Sequence, residues 1–247
     1  MSRYCNYSDD FYVNLNLNTE MDLPSNRETI LHYFEQIQKR FPTLRNFYSR
    51  DRGEFVLEEE KEQGRYRWTT IEPRRVCAGS VNPPSFDEAM DLHSRIMEVI
   101  PYCLTLSPLD CESLNLMLGF DFTYRGNHND LVAEALGLPP ALERVLEIPG
   151  SKPVSYEPSI QFAFDDDCRV QCRLSIETRT SAFNLRTGEF PEEQLSVYVT
   201  ARRFGSLDPG ESLTDATTQL AEIAREMVDD HVADHILVPL QQAIAIK

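Results

Sequence analysis

The residues best suited to chemistry are the histidines. Two of the five stand four apart in the stretch HVADH, as His231 and His235. On an α-helix that spacing puts both rings on one side, where two imidazole nitrogens can share a zinc ion. Asp234 is the nearest further ligand. The zinc-protease version of this pattern needs Glu directly after the first histidine, to activate water, and Val232 stands there instead. Zinc therefore rests on His231, His235 and Asp234 alone. The simpler expectation is no cofactor, with two interior histidines bonded to carbonyls or carboxylates. At about 100° per residue, Leu213, Ala216, Leu220, Ile223, Ala224, Met227, His231 and Val238 form one apolar stripe. Both histidines are thus expected to face inward, and Pro239 to kink or end the helix.

His93 lies on a second such stripe, with Phe86, Ala89, Met90, Met97 and Ile100. If the two helices pack together, His93, His231 and His235 meet in one pocket. Acidification would then be costly, because each imidazolium would be desolvated. A fourth histidine, His128, sits in the polar turn TYRGNHND with Asp130 two residues on. The two suit the roles of general base and orienter, but no nucleophile is placed beside them. Helix capping by Asn127 or Asn129 explains the same composition.

Arginine offers a second kind of chemistry, because its planar fork captures oxyanions. The chain has 20 Arg and only 4 Lys. Arg169 and Arg173 share the polar face of one expected strand. Arg202 and Arg203 end the next, and Arg65 and Arg67 stand on an earlier one. If these strands are neighbours, they form a basic stripe for an acidic partner or a phosphorylated ligand. The competing expectation is cross-strand pairing with Glu58, Glu60 and Glu177. The chain lacks a phosphate loop, a dinucleotide fingerprint, a GxSxG elbow and a calcium loop.

Hydrophobic periodicity indicates the elements that must position these residues. Strict alternation predicts strands at 11–20, 54–60, 65–72, 114–126, 159–164, 168–178 and 194–204. The segment 76–81 is expected to continue the 65–72 strand past Pro73. A period near 3.6 predicts helices at 25–41, 85–101 and 212–244, with shorter ones at 126–137 and 139–146. Cys168 and Cys172 are expected on one strand face. Antiparallel hairpins with helices kept to one side make an α+β fold. The expectation is a single domain spanning 1–247, a curved antiparallel sheet with the helices on its concave face. It would be built from two similar halves of strand, helix, hairpin and helix, at about 10–104 and 110–245.

The net charge of −16 repels phosphate backbones and anionic lipid, so nucleic acid and membrane are not the expected partners. Six cysteines without a CxxC pair, and no apolar run of membrane-spanning length, suggest reduced thiols in the cytoplasm. These features favour a non-catalytic binding or protein-interaction module. A groove or cavity between sheet and helices would take a protein partner or a small ligand. The alternative is a hydrolase or lyase-like enzyme using the inward histidines, with or without a metal. A purely structural subunit is a third reading, and it requires exposed apolar surface.

Overall fold

The computed structural model describes residues 3–50, 53–61, 64–146 and 148–247. Part of the loop expected between residues 60 and 65 lies outside them. The fold is α+β, with nine antiparallel strands in one open sheet. In chain order the strands are β1 (Asp10–Thr19), β2 (Asn46–Arg50), β3 (Glu54–Glu58), β4 (Tyr66–Glu72), β5 (Arg75–Val81), β6 (Cys111–Arg125), β7 (Ser159–Ala163), β8 (Val170–Glu177) and β9 (Glu192–Phe204). The helices are α1 (Arg27–Arg40), α2 (Phe86–Cys103), α3 (His128–Leu136), α4 (Pro140–Leu146), α5 (Ala182–Thr187), α6 (Leu213–Glu226) and α7 (Val238–Ala245). Across the sheet the order is β2-β3-β4-β5-β1-β6-β9-β8-β7. Outward from the central β1–β6 pair, each half thus runs from its last strand back toward its earlier ones. The two sides hold five and four strands, and no readable sequence repeat links them.

The alternation in β1 has a direct cause. Phe11, Val13, Leu15 and Leu17 are buried on one face, while Tyr12, Asn14, Asn16 and Asn18 look the other way. On β6, Leu114, Leu116, Leu118, Phe120 and Phe122 extend the same buried face. Three helices cover it. Tyr33 of α1 reaches the Thr69 hydroxyl of β4. α2 lies over β5 and β1, and α6 over β6 and β9. Each starts at a side-chain cap that satisfies an otherwise orphaned backbone N–H: Asn26 to Thr29, Ser85 to Glu88, and Ser212 to Asp215.

Several local expectations change. Residues 75–81 do not continue β4; the chain reverses at Pro73-Arg74 and β5 pairs back onto β4, Glu72 opposite Arg75. Strand β2 and helix α5 carry too weak a periodicity to be seen in sequence. The N-terminal stretch is tied down, since Tyr4 is buried and its hydroxyl donates to Asp229 at 2.7 Å. Cys168 lies in the β7–β8 turn, exposed and with φ of +55°, whereas Cys172 is buried in β8.

The largest departure is at 227–237. The C-terminal helix is continuous from α6 to α7, but its middle eleven residues form a π-helix. Its hydrogen bonds skip five residues instead of four, so each turn holds more residues and the buried stripe slips. The buried positions become Val228, Val232, Ala233 and Leu237, in place of Met227, His231 and Val238. Pro239 neither ends the helix nor stops it. It falls at the second position of α7, where the π pattern returns to α.

Candidate functional site

The helix-free face of the sheet is hollowed by two adjoining grooves, of about 630 and 440 Å³, which share Tyr12 and Asn14. These two grooves lie on the face opposite the helices. Strand register shows how the floor is built. One row runs Glu58, Trp68, Gly79, Asn14, Met117, Thr200, Arg173, Gln161 across eight strands. The next row on one side runs Tyr66, Val81, Tyr12, Gly119, Tyr198, Ser175. The next on the other runs Thr70, Cys77, Asn16, Asn115, Arg202, Gln171.

Two glycines set the relief of this floor. A Cβ on Gly79 would collide with the Trp68 indole and the Asn14 amide, and one on Gly119 with the Tyr12 ring. Glycine there lets each aromatic ring lie across its neighbouring strand. Tyr12 meets Tyr198 edge-on at 6.5 Å, and its hydroxyl donates to Asp121 at 3.2 Å. Burial pushes the Tyr12 phenol up and also raises the Asp121 carboxyl above the usual carboxylate range. Asn14 Oδ1 is buried in the floor without a hydrogen-bond partner.

The two ends of the hollow differ in charge bookkeeping. At the β2–β5 end the ions pair among themselves: Arg50 with Glu54 at 2.8 Å, Arg75 with Glu72 at 2.7 Å, Lys61 with Glu58 at 3.5 Å. At the β8–β9 end, Arg173 and Arg202 have no carboxylate within ion-pair distance among the described residues. Arg173 Nε donates to Ser159 Oγ at 3.0 Å, and Arg202 Nε donates to Asn115 Oδ1. Partial desolvation against the groove floor and the neighbouring Arg173 charge lower the pKa of Arg202, whose side chain is otherwise exposed.

The other expected arginines are structural. Arg203 faces the helix side, buried, and holds Glu211 and Asp208 at 2.8 and 3.0 Å. Arg169 binds the Ser206 and Phe204 carbonyls and Asp208. Arg67 pairs with Glu59. Arg179, just beyond β8, pairs with Glu177. The stripe thus splits: strand alternation sends adjacent Arg202 and Arg203 to opposite faces.

The histidines do not gather. His93 is fully buried; its Nε2 donates to the Val13 carbonyl at 3.3 Å and its Nδ1 has no partner. Desolvation lowers its pKa to about 4. His231, Asp234 and His235 are exposed, because the π-helix turned the stripe away from them. His231 lines a groove beside β7 and β8, which β6 and β9 separate from the β1 strand that His93 touches. Among the described residues no three His, Cys, Asp or Glu side chains are grouped to hold a metal. His128 is buried rather than exposed. Its Nε2 donates to the Tyr124 carbonyl and its Nδ1 accepts the Arg179 N–H, at 3.3 and 3.2 Å. Both nitrogens are occupied, and exposed Asp130 accepts from Asn127 instead.

One more groove, of about 490 Å³, lies between the sheet edge and the C-terminal helix. The helix layer stops short of β7, leaving Ile160, Phe162 and Phe164 exposed by 51, 41 and 51%. Ile223, Met227 and Val232 form its other wall.

The fold and this face define a class: an α+β protein with an open, half-covered antiparallel sheet. No protein-family model matches the sequence, and no curated protein matches it significantly.

Proposed function

We propose that this protein is a binding module whose helix-free sheet face holds a small ligand or an extended segment of a protein partner. The observation that carries the reading is the hollow itself. Its aromatic rings lie over glycine, and a buried Asn14 oxygen in its floor lacks a partner. Such a concave surface with a few oriented polar groups is the usual form of a ligand site. The −16 net charge argues against nucleic acid as the occupant. The histidine-based hydrolase or lyase reading loses its support, because His93, His128, His231 and His235 occupy unrelated places. Six unbridged cysteines favour a cytoplasmic setting. No helix among the described residues is long and apolar enough to cross a membrane. The test is a fragment screen on the full chain, with backbone amide shifts mapped by NMR. Hits are expected to perturb Asn14, Met117 and Thr200. Hits confined to other surfaces overturn the reading.

A second reading is favoured by the β7 edge. An exposed edge strand carrying Ile160 and Phe162, with Phe164 just beyond it, is a ready protein contact. Light scattering separates a structural subunit from a module that acts alone, since a clean monomer argues against the subunit.

A further inference from the structure

The Arg173–Arg202 end of the hollow can be taken further, resting on the groove reading above. Each guanidinium is tied to the sheet through its Nε, Arg173 on Ser159 and Arg202 on Asn115. That leaves the terminal Nη groups of both without an acceptor among the described residues. The two side chains sit on adjacent strands one register step apart, since Arg173 faces Thr200 and Arg202 faces Gln171. Two like charges held together without a counter-ion repel each other, so an arriving dianion removes a standing cost. The contrast with the other end of the same face is direct, where Arg50 and Arg75 each hold a carboxylate. Glu177, a carboxylate that lines this groove, is engaged by Arg179 at 3.4 Å. Thr200 and Ser175 add hydroxyls on the same floor.

We propose that Arg173 and Arg202 form a phosphoryl subsite, which seats the phosphate monoester of the molecule bound in the groove. Paired forks from two strands match a dianion's charge and its several oxygens better than they match a lone carboxylate. The ester's organic part would then lie toward Tyr198 and Tyr12, the aromatic rings one row away. A free phosphorylated metabolite and a phosphorylated side chain present this same group.

The experiment titrates the full-length protein at fixed ionic strength with inorganic phosphate, phenyl phosphate, a phosphoserine peptide and acetate, read by calorimetry and amide shifts. Phosphate and its esters are expected to bind at Arg173 and Arg202, with acetate at least about 10-fold weaker. Arg173→Gln and Arg202→Gln are each expected to weaken phenyl phosphate by about 10-fold or more, with unchanged thermal melting. Tyr198→Ala should reduce the advantage of phenyl phosphate over inorganic phosphate. Tighter binding of the peptide than of phenyl phosphate identifies a phosphorylated protein as the source, and the reverse a small molecule. Undiminished binding in both arginine variants, or acetate binding as tightly as phosphate, overturns the subsite. If no phosphate probe binds while neutral fragments still map to Asn14 and Met117, the subsite fails and the groove reading stands.

Discussion

On the helix-covered side of β6, Leu114, Leu116, Leu118, Phe120 and Phe122 are dry and packed. On the other side the same strand presents Met117 to an open hollow, between buried Asn115 and Gly119. β9 repeats the contrast within one dipeptide. Arg203 is 6% exposed and grips two carboxylates, while Arg202 is exposed and has none. Residue type is the same, and only the face differs. An arginine count is thus uninformative until each side chain is assigned to a face, because pairing on one side releases nothing for the other.

The largest expected effect tests the packed face. Phe120 is fully buried against Phe11 at 5.2 Å, so Phe120→Ala should cost about 3–5 kcal/mol, read by urea denaturation. A loss under 1 kcal/mol would mean that this face is not a close-packed core. Next comes the arginine pair. Arg203→Gln removes the buried partner of Glu211, while Asp208 keeps Arg169, and should cost about 2 kcal/mol; Arg202→Gln should stay within about 0.5 kcal/mol. Equal costs would erase the distinction between the faces.

A third effect is pH-dependent. His93 has a folded pKa of about 4, below its ordinary value of 6.5. The unfolded chain therefore takes up this proton first as pH falls. The contribution is complete above about pH 6.5 and is lost progressively toward pH 4, amounting to about 3 kcal/mol at most. Wild type minus His93→Gln, measured across that window, should show this slope. Parallel stability curves for the two proteins would contradict it. The smallest effect belongs to the hollow. Gly119→Ala should displace the Tyr12 ring at about 1–2 kcal/mol, and Tyr12→Ala in the same chain should recover most of it. Full additivity of the two changes would deny that they touch.

Most of the architecture was legible before any coordinates, because alternation in β1, β6 and β8 and capped stripes in α1 and α2 are strong periodic signals. The hairpin at Pro73 was missed because its two-residue turn, Pro73-Arg74, lacks the Asn-Gly or Asp-Gly signature of a tight hairpin. His231 and His235 were misplaced for a single reason. A wheel drawn at the α-helical angle cannot register a switch to π bonding, and a one-residue slip turned His231 outward. The hollow was legible only in part. Asn14, Asn16 and Asn18 marked a polar face on β1, but no local pattern shows that Trp68, Tyr12, Met117, Thr200 and Arg202 meet, since register across nine strands joins residues far apart in the chain. Gly79 and Gly119, each interrupting a strand, were the available hint of close side-chain approach.

Trp68 has one consequence of its own. It is the chain's sole tryptophan, half-buried and lying over Gly79 on the floor of the hollow. The protein therefore carries a single indole fluorophore, which long-wavelength excitation separates from its 10 tyrosines, at the place where an occupant would settle. Its emission wavelength and quenching by iodide report on wetting of that floor directly, with no label attached and no competing indole elsewhere.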